Sequence, residues 1–410
     1  MSNVKIQPRL PKGMRDYLPQ AMLKREYVFG VVRDVFHLYG FEPLQTPVLE
    51  LNEILMGKYG EEAEKLIYHA QHPGGKEELA LRYDLTVPLA RVIGQYQSDI
   101  SLPFKRYQLS PVWRAERPQR GRYREFYQCD VDIVGVADMS ADAEVIGVVV
   151  TALKKLGFPQ FTVKLNNRKL LTAIGQYSGV PDSQLGDLYR SVDKFDKIGA
   201  DGVRQELIER GIDQNVVAKM MDLILAHEPG LGNLDVLEQA LGDIVAAQEG
   251  IRELRELAAC LADMYISPED YSVDFTMVRG LGYYTGPVFE AELTFEILDD
   301  KGRKRQFGSV AGGGRYDGLV ERFTGQKVPA TGVSIGVDRL LAALRAKGLM
   351  GGAEPGPVVV TVMDRERMAD YQAMAAELRA AGIRAEVYLG NPKNFGNQLK
   401  YADRRNSPLA

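Results

Sequence analysis

The stretch FKRYQLSPVWRAERPQRGRYREFYQCDVDIVG, from Phe104 to Gly135, sets the architecture of this chain, because it reads as two β segments joined by a charged loop. The span from Arg114 to Arg124 holds five arginines and a single acid, Glu116. Arginine stays charged and presents a planar fork of donors that matches phosphate oxygens in pairs. The hairpin therefore indicates a nucleotide-phosphate site at its strand end, with a loop beyond it that reaches a longer polyanion.

A solvated basic turn is the alternative for such a loop. The segment that follows argues against it, since amide and carboxylate groups lie along a strand at Tyr127, Gln128, Cys129, Asp130 and Asp132. Side chains two residues apart share one face of a strand, and polar groups on an inner face need partners. The pattern favours a polar pocket built on the hairpin.

The composition is that of an ordinary globular protein, with 45% apolar and 26% charged residues in 410. This length predicts two or three domains. No run approaches the ~18 apolar residues of a membrane helix, and the first residues have no signal-peptide core, so we expect a cytoplasmic protein without a membrane segment. The formal net charge of -4 neither requires nor excludes nucleic acid, because local patches decide binding.

Cysteine and histidine are too sparse to predict a structural metal site. Cys129 and Cys260 are far apart in sequence, which fits a reducing compartment better than a disulfide scaffold. His69 and His72 come nearest to ligand spacing, but they lie in a loop rich in glycine and glutamine, and such spacings are common by chance. We therefore expect no metal centre made of protein ligands.

Hydrophobic spacing divides the chain into regions of different character. Helical spacing over Glu26 to Tyr39 is followed by strand-like segments as far as Gly135, which predicts an antiparallel sheet. From Arg168 to about Met264 apolar residues recur at helical intervals, and strand signals return afterwards, so this block is expected to be a helical insertion. Residues 351–357 have the composition of a linker, and the remainder reads as a βαβα module that stops where a further strand is expected.

Two glycine-rich segments lie in the second half of the chain, RGLGYYTGPVFE from Arg279 to Glu290 and AGGGRYDG from Ala311 to Gly318. Neither matches the dinucleotide-binding spacing, and no GxxxxGK[ST] loop occurs, so a bound nucleotide would be held by other means. The glycines permit close approach of backbone to a ligand or to another strand. Arg279, Tyr283 and Tyr284 can surround something small and polar, although isolated aromatics are more often core residues.

Two further segments carry candidate binding residues. In GVSIGVDRLLAAL, from Gly332 to Leu344, Asp338 is expected to cap a helix and Arg339 to lie in its first turn. A cation there opposes the helix dipole at a cost of ~0.3–1 kcal/mol, which a bound anion reverses, so a ligand explains Arg339 better than helix stability does. A surface arginine without a role is the alternative. In LRYDLTVPLAR, Asp84 and Thr86 share one face and suit a free ammonium, or simply end a strand.

Together these motifs resemble those of class II aminoacyl-tRNA synthetases, and among them the histidyl-tRNA synthetase family, over nearly the entire chain. Glu26 to Glu50 resembles the dimer-interface motif, Phe104 to Gly135 the motif 2 hairpin, and Gly332 to Leu344 motif 3, while the two glycine-rich segments resemble the histidine-specific motifs. The resemblance implies an α+β fold: an antiparallel sheet flanked by helices, with a helical insertion and a C-terminal α/β anticodon-binding module that is cut short. It divides the chain into a catalytic domain in two parts (1–167 and 267–350), a helical insertion (168–266), a linker (351–357) and a partial anticodon-binding domain (358–410).

The resemblance implies a homodimer that ligates L-histidine to its tRNA with ATP, through a histidyl-adenylate, and takes magnesium with the ATP rather than at a site of protein ligands. By resemblance the catalytic residues are Arg114 and Arg279. Arg114, Glu116 and Arg339 bind ATP, and Arg117, Gln119 and Arg120 bind tRNA. The histidine-binding residues are Asp84, Thr86, Gln128, Asp132, Tyr283, Tyr284 and Tyr316.

Two departures from the family pattern and two alternatives accompany this interpretation. Gly282 stands where the family usually has an acid, and Asp132 is shorter than the glutamate of some members. A synthetase-like regulator without catalysis is free to lose Arg114, Arg279 and Arg339, and all three are present. A class II synthetase for proline, threonine or glycine is not expected to carry RGLGYYTG.

Overall fold

The computed structural model describes residues 7–57, 59, 64–118, 123–192, 194–225, 230–277, 282–298, 304–350, 355–391 and 393–410. The chain divides into two compact units, Met1–Ala346 and Lys347–Ala410. Each unit is treated below as a separate body. Arg279, Gln119 and Arg120 lie outside the described residues.

The framework of the first unit is β structure. Its strands are, in chain order, β1 (Glu42–Pro43), β2 (Leu49–Leu51), β3 (His69–Ala70), β4 (Leu79–Leu81), β5 (Phe104–Trp113), β6 (Glu125–Val134), β7 (Phe161–Asn167), β8 (Tyr271–Val273), β9 (Pro287–Leu298), β10 (Lys304–Arg315) and β11 (Ala330–Gly336). One sheet has the order β1-β5-β6-β11-β10-β9-β7-β8, and a smaller sheet has the order β2-β4-β3. The six central strands of the large sheet pair antiparallel, as the sequence predicts, whereas β1 and β8 pair in parallel at its edges.

Helices flank the large sheet and fill the block between β7 and β8. They are α1 (Pro19–Leu38), α2 (Asn52–Leu55), α3 (Thr86–Gln95), α4 (Met139–Lys155), α5 (Arg168–Ser178), α6 (Leu185–Val192), α7 (Phe195–Glu209), α8 (Gln214–Leu225), α9 (Asn233–Leu241), α10 (Val245–Asp263), α11 (Glu321–Thr324) and α12 (Val337–Ala346). The helices α5 to α10 occupy the region whose spacing predicts a helical insertion. The α+β prediction is confirmed.

The first helix shows how local sequence fixes an element that supports the sheet. It begins at Pro19, whose fixed φ suits the first helical turn, and it ends before Gly40, which has a φ of 74°. Val28, Val32 and Phe36 recur at helical spacing and are fully buried. The sequence predicts a later start, at Glu26, because the turn from Pro19 to Arg25 carries fewer apolar residues.

A buried ion pair ties the end of β10 to α4. Arg315 donates from Nε to Asp142 at 3.1 Å, from Nη1 to the Val136 carbonyl at 2.9 Å, and from Nη2 to the Asp138 carbonyl at 3.2 Å. The other Asp142 oxygen accepts from Thr331 Oγ1 at 2.8 Å. Burial raises the pKa of Asp142, and the Arg315 guanidinium opposes that shift. The arginine of AGGGRYDG is therefore an anchor of the fold.

The second unit has the βαβα order that the sequence predicts. Its elements are β12 (Val358–Val360), α13 (Met368–Ala380), β13 (Ala385–Val387) and α14 (Phe395–Arg404). The two strands pair in parallel. Val362, Ala375 and Val387 form its small core, and Gln398 seals that core by bonding both backbone groups of Val362.

Candidate active site

Two arginines predicted to meet phosphate lie at the same edge of the large sheet. Arg114 follows β5 directly, and Arg339 lies in the first turn of α12, just after β11. In the sheet Trp113 pairs with Glu125 and Gly336 with Gln128, so the ends of β5 and β11 both lie beside the beginning of β6. The register thus brings together two cations that are far apart in sequence.

Neighbouring groups fix the orientation of Arg114. Its Nε donates to the Tyr83 carbonyl at 3.1 Å, and its guanidinium carbon lies 4.4 Å from the ring centroid of Tyr83 and 5.1 Å from that of Phe126. A guanidinium stacked on two aromatic faces keeps its charge and loses little freedom when it meets an anion. Arg339 is held differently, by donating from Nη1 to the Ser309 carbonyl on β10.

Asp84 forms the centre of a second group, immediately before α3. Its Oδ1 accepts from Tyr59 Oη at 2.8 Å and from the Val87 amide at 3.1 Å, and its Oδ2 accepts from Tyr283 Oη at 3.2 Å. Burial raises the pKa of Asp84, while these hydrogen bonds and the charge of Arg114 oppose the shift. Thr86 is the first residue of α3 and is a side-chain hydrogen-bond partner of Tyr283.

Three tyrosines from the histidine-like motifs pack together over this group. The Tyr283 ring centroid is 5.0 Å from that of Tyr284 and 6.0 Å from that of Tyr316, with edge-on geometry in both pairs. Burial raises the pKa of all three phenols, most strongly for Tyr283 and Tyr316. They stay protonated at neutral pH, and two of them donate to acids, Tyr283 to Asp84 and Tyr316 to Asp132.

A row of polar side chains on β6 continues the site across the sheet. Gln128 donates from Nε2 to Ser334 Oγ on β11 at 2.8 Å. Asp132 forms an ion pair with Arg106 Nη2 on β5 at 2.8 Å, and Tyr316 Oη donates to its Oδ1. These residues are buried, so their interactions act in a medium of lower dielectric constant than water.

Two of the predicted loop residues, Glu116 and Arg117, lie in the described part of the chain. Arg117 is exposed, and Glu116 is partly buried, with its carbonyl accepting from Arg124 Nε at 3.0 Å. The structure therefore brings together Arg114, Asp84, Thr86, Gln128, Asp132, Tyr283, Tyr284 and Tyr316, and the strand register places Arg339 at the same sheet edge as Arg114.

The expected helix cap at Asp338 is wrong. The helix begins at Val337, so Asp338 lies within its first turn, where it accepts from Arg15 at 2.5 Å, Arg25 at 2.6 Å and Tyr17 at 3.2 Å. Long-range ion pairs of this kind leave no mark on local spacing. Asp338 therefore connects α12 to the N-terminal segment.

Two contributors were not among the site residues predicted from the sequence. Tyr59 lies in a segment without a recognisable pattern, and nothing in its spacing points to Asp84. Arg106 was predictable from the sequence, because the antiparallel pairing of the two hairpin strands places it opposite Asp132. A charge on a buried strand opposite an acid was the signal.

Within the described ranges, no group of three histidine, cysteine or acidic side chains is placed to hold a metal ion. Over the same residues no helix combines the length and the apolar character needed to cross a bilayer.

Family comparisons assign the two units. A family model described as "Histidyl-tRNA synthetase" matches residues 13–340, and one described as "Anticodon binding domain" matches residues 357–410. A catalytic sheet followed by an anticodon-binding domain defines the class, which is that of the aminoacyl-tRNA synthetases.

Individual relatives narrow the assignment. Proteins named histidine–tRNA ligase from Paracoccus denitrificans (strain Pd 1222) and Ruegeria sp. (strain TM1040) are 55% and 50% identical to the chain, covering 99% and 100% of it and 88% and 87% of their own lengths. The crystal structure of histidyl-tRNA synthetase from Nostoc sp. PCC 7120 matches with a TM-score of 0.81 at 30% identity, over 98% of this chain and 90% of that one. The chain belongs to the histidyl-tRNA synthetase family. Its activity is the charging of tRNA with histidine.

Proposed function

We propose that the cluster around Asp84, Arg114 and the β6 row is the active site of this histidine–tRNA ligase. The histidine carboxylate attacks the α-phosphorus of ATP and diphosphate leaves, giving histidyl-adenylate. The terminal adenosine hydroxyl of tRNA then attacks the acyl carbon, and AMP leaves. Both steps move negative charge onto phosphate oxygens, so fixed cations are the expected catalysts.

The amino end of histidine belongs at Asp84 in this proposal. The carboxylate is buried, accepts hydrogen bonds from two phenols, and lies two residues before Thr86, the first residue of α3. An ammonium group placed there replaces water with a charged partner and restores full pairing to a carboxylate that burial disfavours. The amino acid is then oriented with its own carboxylate toward Arg114.

The phosphate end of the site belongs to the cations at the sheet edge. Arg114 would bind the α-phosphate, and Arg339 with Glu116 would serve the remainder of ATP, which is generally taken with Mg²⁺. We assign Arg279 as the catalytic cation beside the histidine carboxylate. Preorganised guanidinium groups stabilise the charge of the transition state without rearranging during the reaction.

The wall of tyrosines and β6 side chains would select the histidine ring. Gln128, Asp132 and Tyr316 are buried and Tyr283 and Tyr284 are half-buried, and together they supply donors and acceptors. A pocket that hydrogen-bonds a polar ring rejects apolar analogues by ~10⁴–10⁵, because the analogue leaves buried polar groups unpaired. Selection of histidine then needs no separate editing step.

We assign the basic loop to tRNA through Arg117, Gln119 and Arg120, and a histidine tRNA as its partner. Arginines on a loop next to the catalytic edge suit the phosphates of an acceptor end. We also propose that the protein is a homodimer and that it is located in the cytoplasm.

This proposal rests on one observation. The charge of Arg114 acts on the buried Asp84, whose carboxylate accepts hydrogen bonds from two phenols of segments that are distant in sequence. The direct test is ATP–diphosphate exchange measured with each amino acid in turn. We expect exchange with histidine alone, and a raised KM for histidine in Asp84→Asn, since the amide cannot form the ion pair. The matched control is Asp138→Asn, which changes an exposed helix cap. Exchange with another amino acid, or none with any, would refute the assignment.

One solved structure suggests a non-catalytic alternative. A protein described as an ATP phosphoribosyltransferase regulatory subunit/histidyl-tRNA synthetase from Bacillus halodurans C shares the fold at a TM-score of 0.80, with 23% identity over 97% of both chains. A regulator would bind histidine without exchange. The exchange assay therefore separates the two roles.

A further inference from the structure

Residues 7–18, the first that the structure describes, form no helix or strand, yet part of this stretch contacts both elements that carry phosphate-binding arginines. The N-terminal segment, PKGMRDY from Pro11 to Tyr17, precedes the helix that begins at Pro19. None of its residues is assigned a role in the reaction above. Its contacts within the catalytic unit indicate one.

The first contact of the N-terminal segment is with the hairpin loop between β5 and β6. The Gly13 carbonyl accepts from the Arg124 amide at 2.9 Å, and the Lys12 carbonyl accepts from Arg124 Nη1 at 3.4 Å. Arg124 also joins the two limbs of the loop, since its carbonyl accepts from the Arg114 amide at 2.9 Å and its Nε donates to the Glu116 carbonyl at 3.0 Å. Two hydrogen bonds through Arg124 therefore connect Gly13 to the backbone of the arginine assigned to the α-phosphate.

The second contact is made by Arg15, which lies between the loop and α12. Its guanidinium carbon is 3.4 Å from the ring centroid of Tyr123, on the returning limb of the loop. Its Nη2 forms an ion pair with Asp338 Oδ1 at 2.5 Å, in the first turn of α12. A separation of 3.4 Å is van der Waals contact, so one guanidinium holds the loop by its face and the helix by an N–H group.

Fold stability alone does not explain Arg15. Asp338 has a second cation, Arg25 from α1, whose Nη1 lies 2.6 Å from the same oxygen. The side chain of Arg25 is 1% exposed and that of Arg15 is 33% exposed, so Arg25 is the buried partner that neutralises the acid. A partly exposed ion pair contributes little to stability. The distinctive feature of Arg15 is its simultaneous contact with the loop.

We propose that the N-terminal segment positions the hairpin loop for catalysis and that Arg15 is the residue through which it does so. By stacking on Tyr123 and pairing with Asp338, Arg15 fixes the separation between the loop that follows Arg114 and the helix that carries Arg339. Arg15 acts through these neighbours and is a positioning residue. This inference rests on the proposed function and deepens it.

The arrangement predicts which substrate feels the loss of Arg15. ATP at this edge of the sheet would meet cations from both the loop and α12, so its reaction needs them at one separation. If the loop is released, ATP must order it on binding, and that cost lowers kcat/KM for ATP. The cluster around Asp84 is held by its own hydrogen bonds from Tyr59 and Tyr283, so the KM for histidine should change little.

The experiment is histidine-dependent ATP–diphosphate exchange, measured over a range of each substrate for the full chain and for Arg15→Gln. We expect kcat/KM for ATP to fall by about tenfold, which lies within the scale of a cation–π contact at a partly buried position. The urea midpoint should stay near that of the unaltered chain, because Arg25 still pairs with Asp338. Arg9→Gln, which changes an exposed arginine just before the segment, is the matched control and should leave kcat/KM for ATP unchanged.

Variants of Tyr123 test the same contact from the side of the loop, without altering the N-terminal segment. Tyr123→Leu removes the aromatic face and should lower kcat/KM for ATP to a similar degree, whereas Tyr123→Phe keeps the face and should behave as the unaltered chain. Since either change breaks the same connection, Arg15→Gln combined with Tyr123→Leu should be no worse than one of them alone.

Four outcomes would overturn the inference: unchanged kcat/KM for ATP in Arg15→Gln, a loss in Tyr123→Phe as large as in Tyr123→Leu, additive losses in the double variant, or a rise in the KM for histidine that matches the loss for ATP. The last would indicate general disruption of the site. Absence of histidine-dependent exchange in the unaltered chain would instead overturn the proposed function, so the two failures are distinct.

Discussion

Two buried arginine–aspartate pairs, one between β10 and α4 and one between β5 and β6, differ in how completely their polar atoms are hydrogen-bonded. Arg315, 3% exposed, has every guanidinium nitrogen bonded, and its partner Asp142 has both oxygens bonded. Arg106, fully buried, donates from Nη2 to the Leu85 carbonyl at 3.0 Å and pairs with Asp132, but its Nε and Nη1 have no hydrogen-bond partner among the described residues.

The contrast separates structural charge from charge that faces a substrate. Burial of both pairs carries a desolvation cost, and the hydrogen bonds are complete only around Arg315. The incomplete pairing around Arg106 lies where Asp130, Asp132 and Tyr284 come together. We infer that the first pair stabilises the fold and that the second is completed on binding.

The largest expected effect is on stability and comes from the fully hydrogen-bonded pair of Arg315 and Asp142. Arg315→Met leaves Asp142 buried without its cation and should lower the free energy of unfolding by about 3–5 kcal/mol. Urea denaturation measures it. Arg190→Met, which removes an exposed pair with Asp187, should change stability by about 1 kcal/mol or less. A decrease of similar size in both variants would show that the Arg315–Asp142 pair contributes no more to stability than a surface pair.

The next effect is on the catalytic side. Arg279→Ala should lower the rate of adenylate formation by ~10²–10³, the scale for removing one transition-state donor. Its urea midpoint should stay near that of the unaltered chain, since this arginine is assigned to substrate. Near-normal diphosphate exchange in this variant would remove Arg279 from the mechanism.

A smaller effect links the incompletely paired cluster to pH. The pKa of Asp130 is about 7 in the folded chain, above the ~3.9 of an unfolded aspartate, so between these values the native state holds a proton that the unfolded state has released. Its contribution to stability is present below about pH 4 and is lost as pH rises to about 7. Without ligand, Asp130→Asn should weaken this decline, as urea titrations at pH 5 and 7.5 can show. Identical declines in both proteins would contradict it.

The smallest effect concerns the exposed loop, where charge is solvated. Replacing Arg117 and Arg120 with alanine should flatten the dependence of log affinity for tRNA on log salt, by roughly 0.7–0.9 for each phosphate that the loop no longer neutralises. Filter binding across a salt series gives the slope, with Lys154→Ala as a control for the removal of one exposed cation elsewhere. A slope equal to that of the unaltered chain would remove the loop from the interface.

Much of this architecture was predictable from the sequence, since it rests on local signals. Alternation in Phe104 to Gly135 predicts β5 and β6, and helical spacing predicts the block after Arg168, because burial of one face leaves a periodic trace. The approach of Arg114 to Asp84 was predictable only through family resemblance. The hydrogen bond from Tyr59 to Asp84 and the ion pairs of Asp338 were not predictable. Contacts between distant segments depend on packing and leave no periodic pattern in the sequence.

Gly332 gives the pocket a property that no side chain could supply. It lies directly opposite Asp132 in the sheet, and a Cβ built on it would overlap the Asp132 carboxyl and come within 2.8 Å of the Val131 carbonyl. The Asp132 carboxyl therefore occupies space that a side chain at residue 332 would fill. Any larger residue at position 332 would displace that acid and with it the partner of Arg106 and Tyr316.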